Sequence, residues 1–196
     1  MVTAEISDED WDGRNLDAAA FENTAFVDVD MTELTSHGAT FSDCTFRRVR
    51  FNSSTHQGTA FTNCSFDQCS FFDSRFENCK MIGSTFSRCT FLNCVVDGGD
   101  WSFVDLSGQD IRSASFRGLR MREADLAGVS AEGATLRDLD LSGASFRSAN
   151  FTGTDLRGAD LADLDPPSVQ LRDARVTWRQ AVQITTSLGL EVVPDD

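Results

Sequence analysis

From Trp11 onward every fifth residue is large and apolar: Leu16, Phe21, Phe26 and Met31 open a series that runs to Val176. Of its 34 members only Ser36, His56, Ala131 and Pro166 break the rule, and no insertion shifts the phase. Two residues before each large position stands a small one, such as Ala114, Ala124, Ala134, Ala144, Ala149 or Ala159. All six cysteines (Cys44, Cys64, Cys69, Cys79, Cys89, Cys94) occupy this same slot. Two residues after the large position come 12 of the 14 glycines, with Asn63, Asn78, Asn93, Asp43 or Asp73 in other copies. These three residue types tolerate the positive φ that tight corners require.

A period of five matches neither the 3.6 of a helix nor the 2 of a strand. It is satisfied when each unit is a short extended piece followed by a corner, with the large and the small residue both pointing inward. Four corners close a square, so twenty residues make one coil. Thr35-Ser36-His37-Gly38-Ala39-Thr40-Phe41 recurring as Thr55-His56-Gln57-Gly58-Thr59-Ala60-Phe61 supports that length. Stacked coils hydrogen-bond at the strand spacing of roughly 4.8 Å, and each covers its neighbour's inner layer. The pattern thus predicts an all-β solenoid of about eight coils over residues 11–176, after an N-terminal tail at 1–10. Pro166-Pro167 puts a proline at a core slot and removes two backbone donors, so the last coil should be irregular. Residues 177–196 leave the period. Thr177-Trp178-Arg179-Gln180 reads as a capping box before a short amphipathic helix that ends at Gly189. This helix caps the open end of the solenoid. Its Trp178, Ala181, Val182, Ile184, Leu188 and Leu190 are candidates for joining two rods end to end as a homodimer.

Composition sharpens this picture. The chain holds 16 Phe and no Tyr, and 14 of those rings fall in the core register, Phe72 and Phe103 being the exceptions. Against 31 acidic residues stand 17 basic ones, a formal charge of −14. A nucleic-acid binder should carry a basic footprint, so neither nucleic acid nor an anionic membrane surface is an expected partner. No apolar run reaches the ~18 residues of a membrane helix, and the acidic N-terminus lacks a signal-peptide layout. A cytoplasmic protein is expected.

Chemistry has few places to hide. The cysteines replace inward alanines at multiples of five, without metal-ligand spacing, and are expected as free, buried thiols. His56 occupies a core slot with Ser36 one coil beneath it. That predicts either a hydrogen-bonded pair inside the lumen or a local kink that turns both outward. No catalytic or phosphate-binding motif occurs, so neither enzyme activity, a cofactor nor a metal is expected. The carboxylates are more ordered. Asp100, Asp140 and Asp160 share one side with Glu123 and Asp163, interrupted by Arg120, while Asp105, Asp125 and Asp165 line the adjacent side. Arg117, Arg137 and Arg157 form a cationic ladder on a further side, and Phe72 and Leu92 should stack as an exposed apolar pair.

The units Ala124-Asp125-Leu126-Ala127-Gly128, Ala149-Asn150-Phe151-Thr152-Gly153 and Ala159-Asp160-Leu161-Ala162-Asp163 resemble the repeat of the pentapeptide repeat family. That resemblance implies a right-handed quadrilateral parallel β-helix. Three further segments are similar to the mycobacterial MfpA-type proteins of this family: Thr55 to Phe66, Lys80 to Phe86, and Gln180-Ala181-Val182 to Leu188-Gly189-Leu190. The likeness implies a DNA mimic that binds DNA gyrase, inhibits supercoiling and confers fluoroquinolone resistance. The acidic ladders would then be the partner-binding surface. The rival expectation is a structural or adaptor rod that holds another protein through Phe72 and Leu92.

Overall fold

A five-residue unit cannot bury its large residue alone, so the chain stacks one coil on the next. The computed structural model describes residues 2–193. One line of parallel pairings runs Asn15–Thr35–Thr55–Arg75–Val95–Ser115–Thr135–Asp155–Arg175, eight steps of twenty residues each. The coil length read from the sequence is the observed one. Its four faces are numbered here in chain order from the inward residues Trp11 (face 1), Leu16 (face 2), Phe21 (face 3) and Phe26 (face 4). Faces 1 and 3 are therefore opposite, as are 2 and 4.

Regular strand is unevenly spread over these faces. Face 4 carries a five-stranded parallel sheet built from Ala4–Ser7, Thr24–Val27, Thr45–Arg47, Ser65–Asp67 and Thr85–Ser87. On faces 2 and 3, Arg75–Lys80 and Val95–Asp100 run round the corner and join both faces into one sheet. That turn brings backbones together: a Cβ on Gly99 (φ +107°) would lie 2.0 Å from the Cys79 carbonyl oxygen, so only glycine fits. Beyond Arg137 the described coils are linked by single bridges alone.

The corners follow the sequence pattern and go beyond it. From Asp8 to Gly158 every fifth residue has positive φ, Ser113 excepted. Nineteen residues with positive φ are not glycine, and they include Ala18, Arg48, Gln68, Phe103 and Glu123, for which this region is unfavourable. Stacking imposes the corner whatever residue stands there.

Inside, the phenylalanines form columns. Phe41 lies 4.8 Å from Phe61 at 2° between planes, and Phe26, Phe46, Phe66 and Phe86 repeat at 4.8 Å along face 4. Rings on adjacent faces meet edge-on, as Phe46 does Phe51 at 5.5 Å and 61°. Offset stacking along the axis and edge-to-face contact across it are the two arrangements the ring quadrupole favours. The small slot has its own bond. The thiols of Cys44, Cys64, Cys69, Cys79 and Cys89 donate to the backbone oxygen of the core residue twenty-three positions earlier, at 3.3–3.6 Å. All six cysteines are free and buried, and burial pushes the Cys79 thiol up to about 11 and Cys94 to about 12.

Ser36 and His56 do not turn outward. Both are buried in the lumen, where Ser36 Oγ lies 2.7 Å from His56 Nδ1 and Ser54 Oγ 3.0 Å from Nε2. Ser54 donates to the Phe51 carbonyl at 2.6 Å, so its oxygen accepts from Nε2–H. Nδ1 then accepts from Ser36, whose oxygen is 2.7 Å from the Thr59 hydroxyl. The network fixes one neutral tautomer, and burial holds the histidine pKa down to about 3.

At the C-terminal end Pro166–Ser168 forms a 3₁₀ turn, the expected irregularity. Helix α1 (Trp178–Ser187) begins at Thr177 with the capping box complete. The buried Gln180 side chain ties it to the rod: Nε2 donates to Leu156 O at 2.7 Å and Ala159 O at 2.8 Å.

Candidate functional site

Summing the outward positions of each face along the twenty-residue register separates the surface by charge. Face 1 carries eight carboxylates and three cations, face 3 seven and three, face 4 seven and four, and face 2 five of each. Negative potential is therefore concentrated on three sides, and the side holding Arg117, Arg137 and Arg157 is balanced. There Arg157 pairs with Asp155 at 2.7 Å, which holds that carboxylate down to about 2, and Arg137 lies 3.9 Å from Asp138.

The two acidic ladders occupy faces 3 and 4, and the backbone explains their order. An aspartate just before the core residue accepts from the amide two positions on, as Asp residues do in local turns. Asp105 takes Ser107 N–H at 2.8 Å, Asp125 takes Ala127 N–H at 2.9 Å and Asp160 takes Ala162 N–H at 3.0 Å. One oxygen of each carboxylate is thereby tied to the coil. Asp105 and Asp125 are bridged partners on adjacent coils, so their charges stack directly.

Face 3 is less uniform than the sequence implied. Arg120 reaches back to Asp100 at 3.1 Å, and Arg122 reaches Asp140 at 2.6 Å. Burial opposes the Asp100 charge, but the Ser102 hydroxyl and amide and then Arg120 outweigh it and lower its pKa. The Ser142 hydroxyl and then Arg122 do the same for Asp140. Among the described residues Asp105, Glu123, Asp125, Asp160, Asp163 and Asp165 form no ion pair. Asp163 accepts the Gly143 amide at 2.7 Å, and Asp165 caps the 3₁₀ turn through its backbone. Of the ladder carboxylates, those outside ion pairs are thus Asp105, Asp125 and Asp165 on face 4, Glu123 and Asp163 along its corner with face 3, and Asp160 on face 3 itself.

Two apolar features accompany it. Phe72 and Leu92 are 41% and 50% exposed on face 1, one coil apart, with Asp73 N donating to Leu92 O. Beside them a depression of about 370 Å³ is lined by Cys89, Thr90, Leu92, Asp110, Arg112 and Ser113. Gln109, standing in a small-residue slot, turns its side chain to accept from Cys89 N at 3.1 Å. At the rod's end Trp178, Leu188 and Leu190 are exposed, whereas Ile184 packs against the core and Ala181 and Val182 are half-buried. Three of the six candidate joint residues are therefore exposed. Phe103 is the feature that sequence reasoning did not rank. It is 54% exposed at the corner between the two ladders, and its only signal was a phenylalanine outside the core register.

Among the described residues no group of three or more His, Cys, Asp or Glu side chains could hold a metal ion, and no helix is long and apolar enough to cross a membrane.

The model of the pentapeptide repeat region matches residues 69–146. No curated protein matches the sequence. A solved structure of a trypsin-treated variant of QnrB1, a plasmid-mediated fluoroquinolone resistance protein, superposes with a TM-score of 0.70. It is 22% identical and covers 96% of this chain and 97% of that one. Full-length QnrB1 gives 0.68 at 21% identity, covering 95% and 100%. Residues 69–146 are a pentapeptide repeat region, and the chain as a whole shares the β-helical fold of QnrB1.

Proposed function

We propose that the protein binds DNA gyrase as a rod-shaped imitation of duplex DNA, inhibits supercoiling and shields the enzyme from fluoroquinolones. The observation that carries this reading is the stack of backbone-anchored carboxylates on face 4 and its corner with face 3. Eight coil steps at ~4.8 Å make a rod of about 40 Å. A net charge of −14 over it amounts to roughly one charge per 3 Å, against about one per 1.7 Å of duplex DNA. Such a surface competes for the Lys and Arg side chains that grip phosphate, with no base to be read. The shared fold with QnrB1, itself described as a fluoroquinolone resistance protein, and the MfpA-type segments support the same partner. The rod has no catalytic role in this reading. It doubles its length in the cytoplasm by pairing end to end through Trp178, Leu188 and Leu190.

The test is a gyrase supercoiling assay with and without a fluoroquinolone. Inhibition at micromolar protein that weakens with salt, and fewer drug-induced breaks, are the expected results. Unaffected supercoiling at low salt overturns the proposal.

One observation favours a second reading, a protein adaptor: the exposed Phe72–Leu92 pair beside its depression. That reading predicts a partner lost on Phe72→Ala and indifferent to the acidic ladders.

A further inference from the structure

The corner row between faces 3 and 4 runs Asn23, Asp43, Asn63, Gly83, Phe103, Glu123, Gly143, Asp163, and every member before Asp163 has positive φ. Each corner amide from Gly83 to Glu123 donates to a carbonyl of the next coil: Gly83 to Ser102 at 3.0 Å, Phe103 to Arg122 at 2.8 Å, Glu123 to Ser142 at 2.9 Å. The bond belongs to the backbone, so the coil needs no particular side chain there. Glycine and asparagine suit the conformation, whereas a bulky residue at φ +60° is a genuine outlier. Phe103 meets a second penalty, because more than half of its surface faces water. Eighteen other non-glycine corners share the conformation, but Phe103 is the only aromatic among them, and an exposed ring at such a corner points to use rather than folding.

Its place says what that use is. Phe103 lies between Asp100 on face 3, which Arg120 pairs, and Asp105 on face 4, with Glu123 on the next coil, so the carboxylates beside it outside ion pairs are Asp105 and Glu123. Carboxylates alone compete for any phosphate-binding surface, since that attraction carries no sequence or partner information. An aromatic side chain inside a charged rim is how protein interfaces add discrimination: the ring fills a dry pocket and the surrounding charges set orientation and approach. We propose that Phe103 is the specificity-determining anchor of the acidic edge, inserting into an apolar pocket that Lys and Arg side chains surround on the partner protein. DNA offers no such group, so the anchor separates this partner from other phosphate-binding proteins. Phe72 and Leu92 lie apart from it on face 1, opposite face 3.

The inference rests on the gyrase reading, and one experiment separates the two. Binding of purified gyrase holoenzyme to the full chain is measured at two salt concentrations for wild type, Phe103→Asn and Phe72→Asn. Asparagine suits positive φ, so Phe103→Asn should melt at or above the wild-type temperature. It should nevertheless bind at least tenfold more weakly at both salts, with the salt dependence unchanged and Phe72→Asn at wild-type affinity. Wild-type affinity in Phe103→Asn overturns the anchor and leaves the gyrase reading standing, and so does an equal loss in both variants. Absence of wild-type binding overturns both.

Discussion

The two halves of the rod obey one backbone rule with different side chains. Between Phe21 and Phe91 the lumen is aromatic, the small slot is often cysteine, and strands form on faces 2, 3 and 4. From Leu106 onward the lumen is mainly Leu, Ile and Met, the small slot is mainly alanine, and single bridges replace most strands. Within the second half a void of about 10 Å³ remains among Leu106, Ile111, Phe116 and Leu136. Flat rings fill a square section at one repeat distance, whereas branched aliphatic chains leave gaps that close-packed interiors seldom tolerate. Six of the eight candidate partner-binding carboxylates belong to the second half, and Asp100 and Asp105 stand where the two halves join.

The largest expected effect tests that division. Phe61→Ala removes a ring stacked on Phe41 and met edge-on by Phe46, Phe66 and Phe76, and should cost about 3–5 kcal/mol. Urea denaturation measures it against Leu141→Ala, equally buried in the other half. An equal or larger loss at Leu141 breaks the comparison.

A smaller effect concerns the polar site inside the aromatic half. His56 has a folded pKa near 3 against 6.5 for the free side chain, so the unfolded chain takes a proton that the folded one refuses. Its contribution is complete above pH 6.5 and falls on acidification by about 1.4 kcal/mol per unit, roughly 2 kcal/mol by pH 5. The urea midpoint should follow this slope, and His56→Phe should flatten it. An unchanged slope in that variant would assign the dependence elsewhere.

The smallest effect on stability belongs to the aliphatic half. Asp105→Asn with Asp125→Asn keeps the acceptor for the Ser107 and Ala127 amides and removes two stacked charges. Melting should shift by the equivalent of less than about 0.5 kcal/mol, as for surface sites without ion pairs, while gyrase inhibition drops. A large loss of stability would mean that these carboxylates are structural.

The phase of the large residues determined the coil, the lumen and the corner positions, because each unit contacts only copies of itself at fixed separations. The absence of tyrosine fits the same logic: the Trp101 indole N–H, buried in the lumen, finds no acceptor among the described residues, and a phenol would meet the same cost. The cap was legible too, since Thr177 and Gln180 signal locally. Sequence spacing did not reveal that Arg122 reaches forward to Asp140 on the next coil, so that face 3 is partly neutralised. It left open whether His56 turned inward; Ser36 from the coil beneath and Ser54 from its own coil hold the ring, and Thr59 holds Ser36. Nor did it show that Ile184 serves the rod's own core or that Phe103 stands where two ladders meet. A repeat determines where backbone goes, because stacking leaves it one geometry. Which long side chains meet across coils depends on rotamers and neighbours that only the tertiary structure brings together.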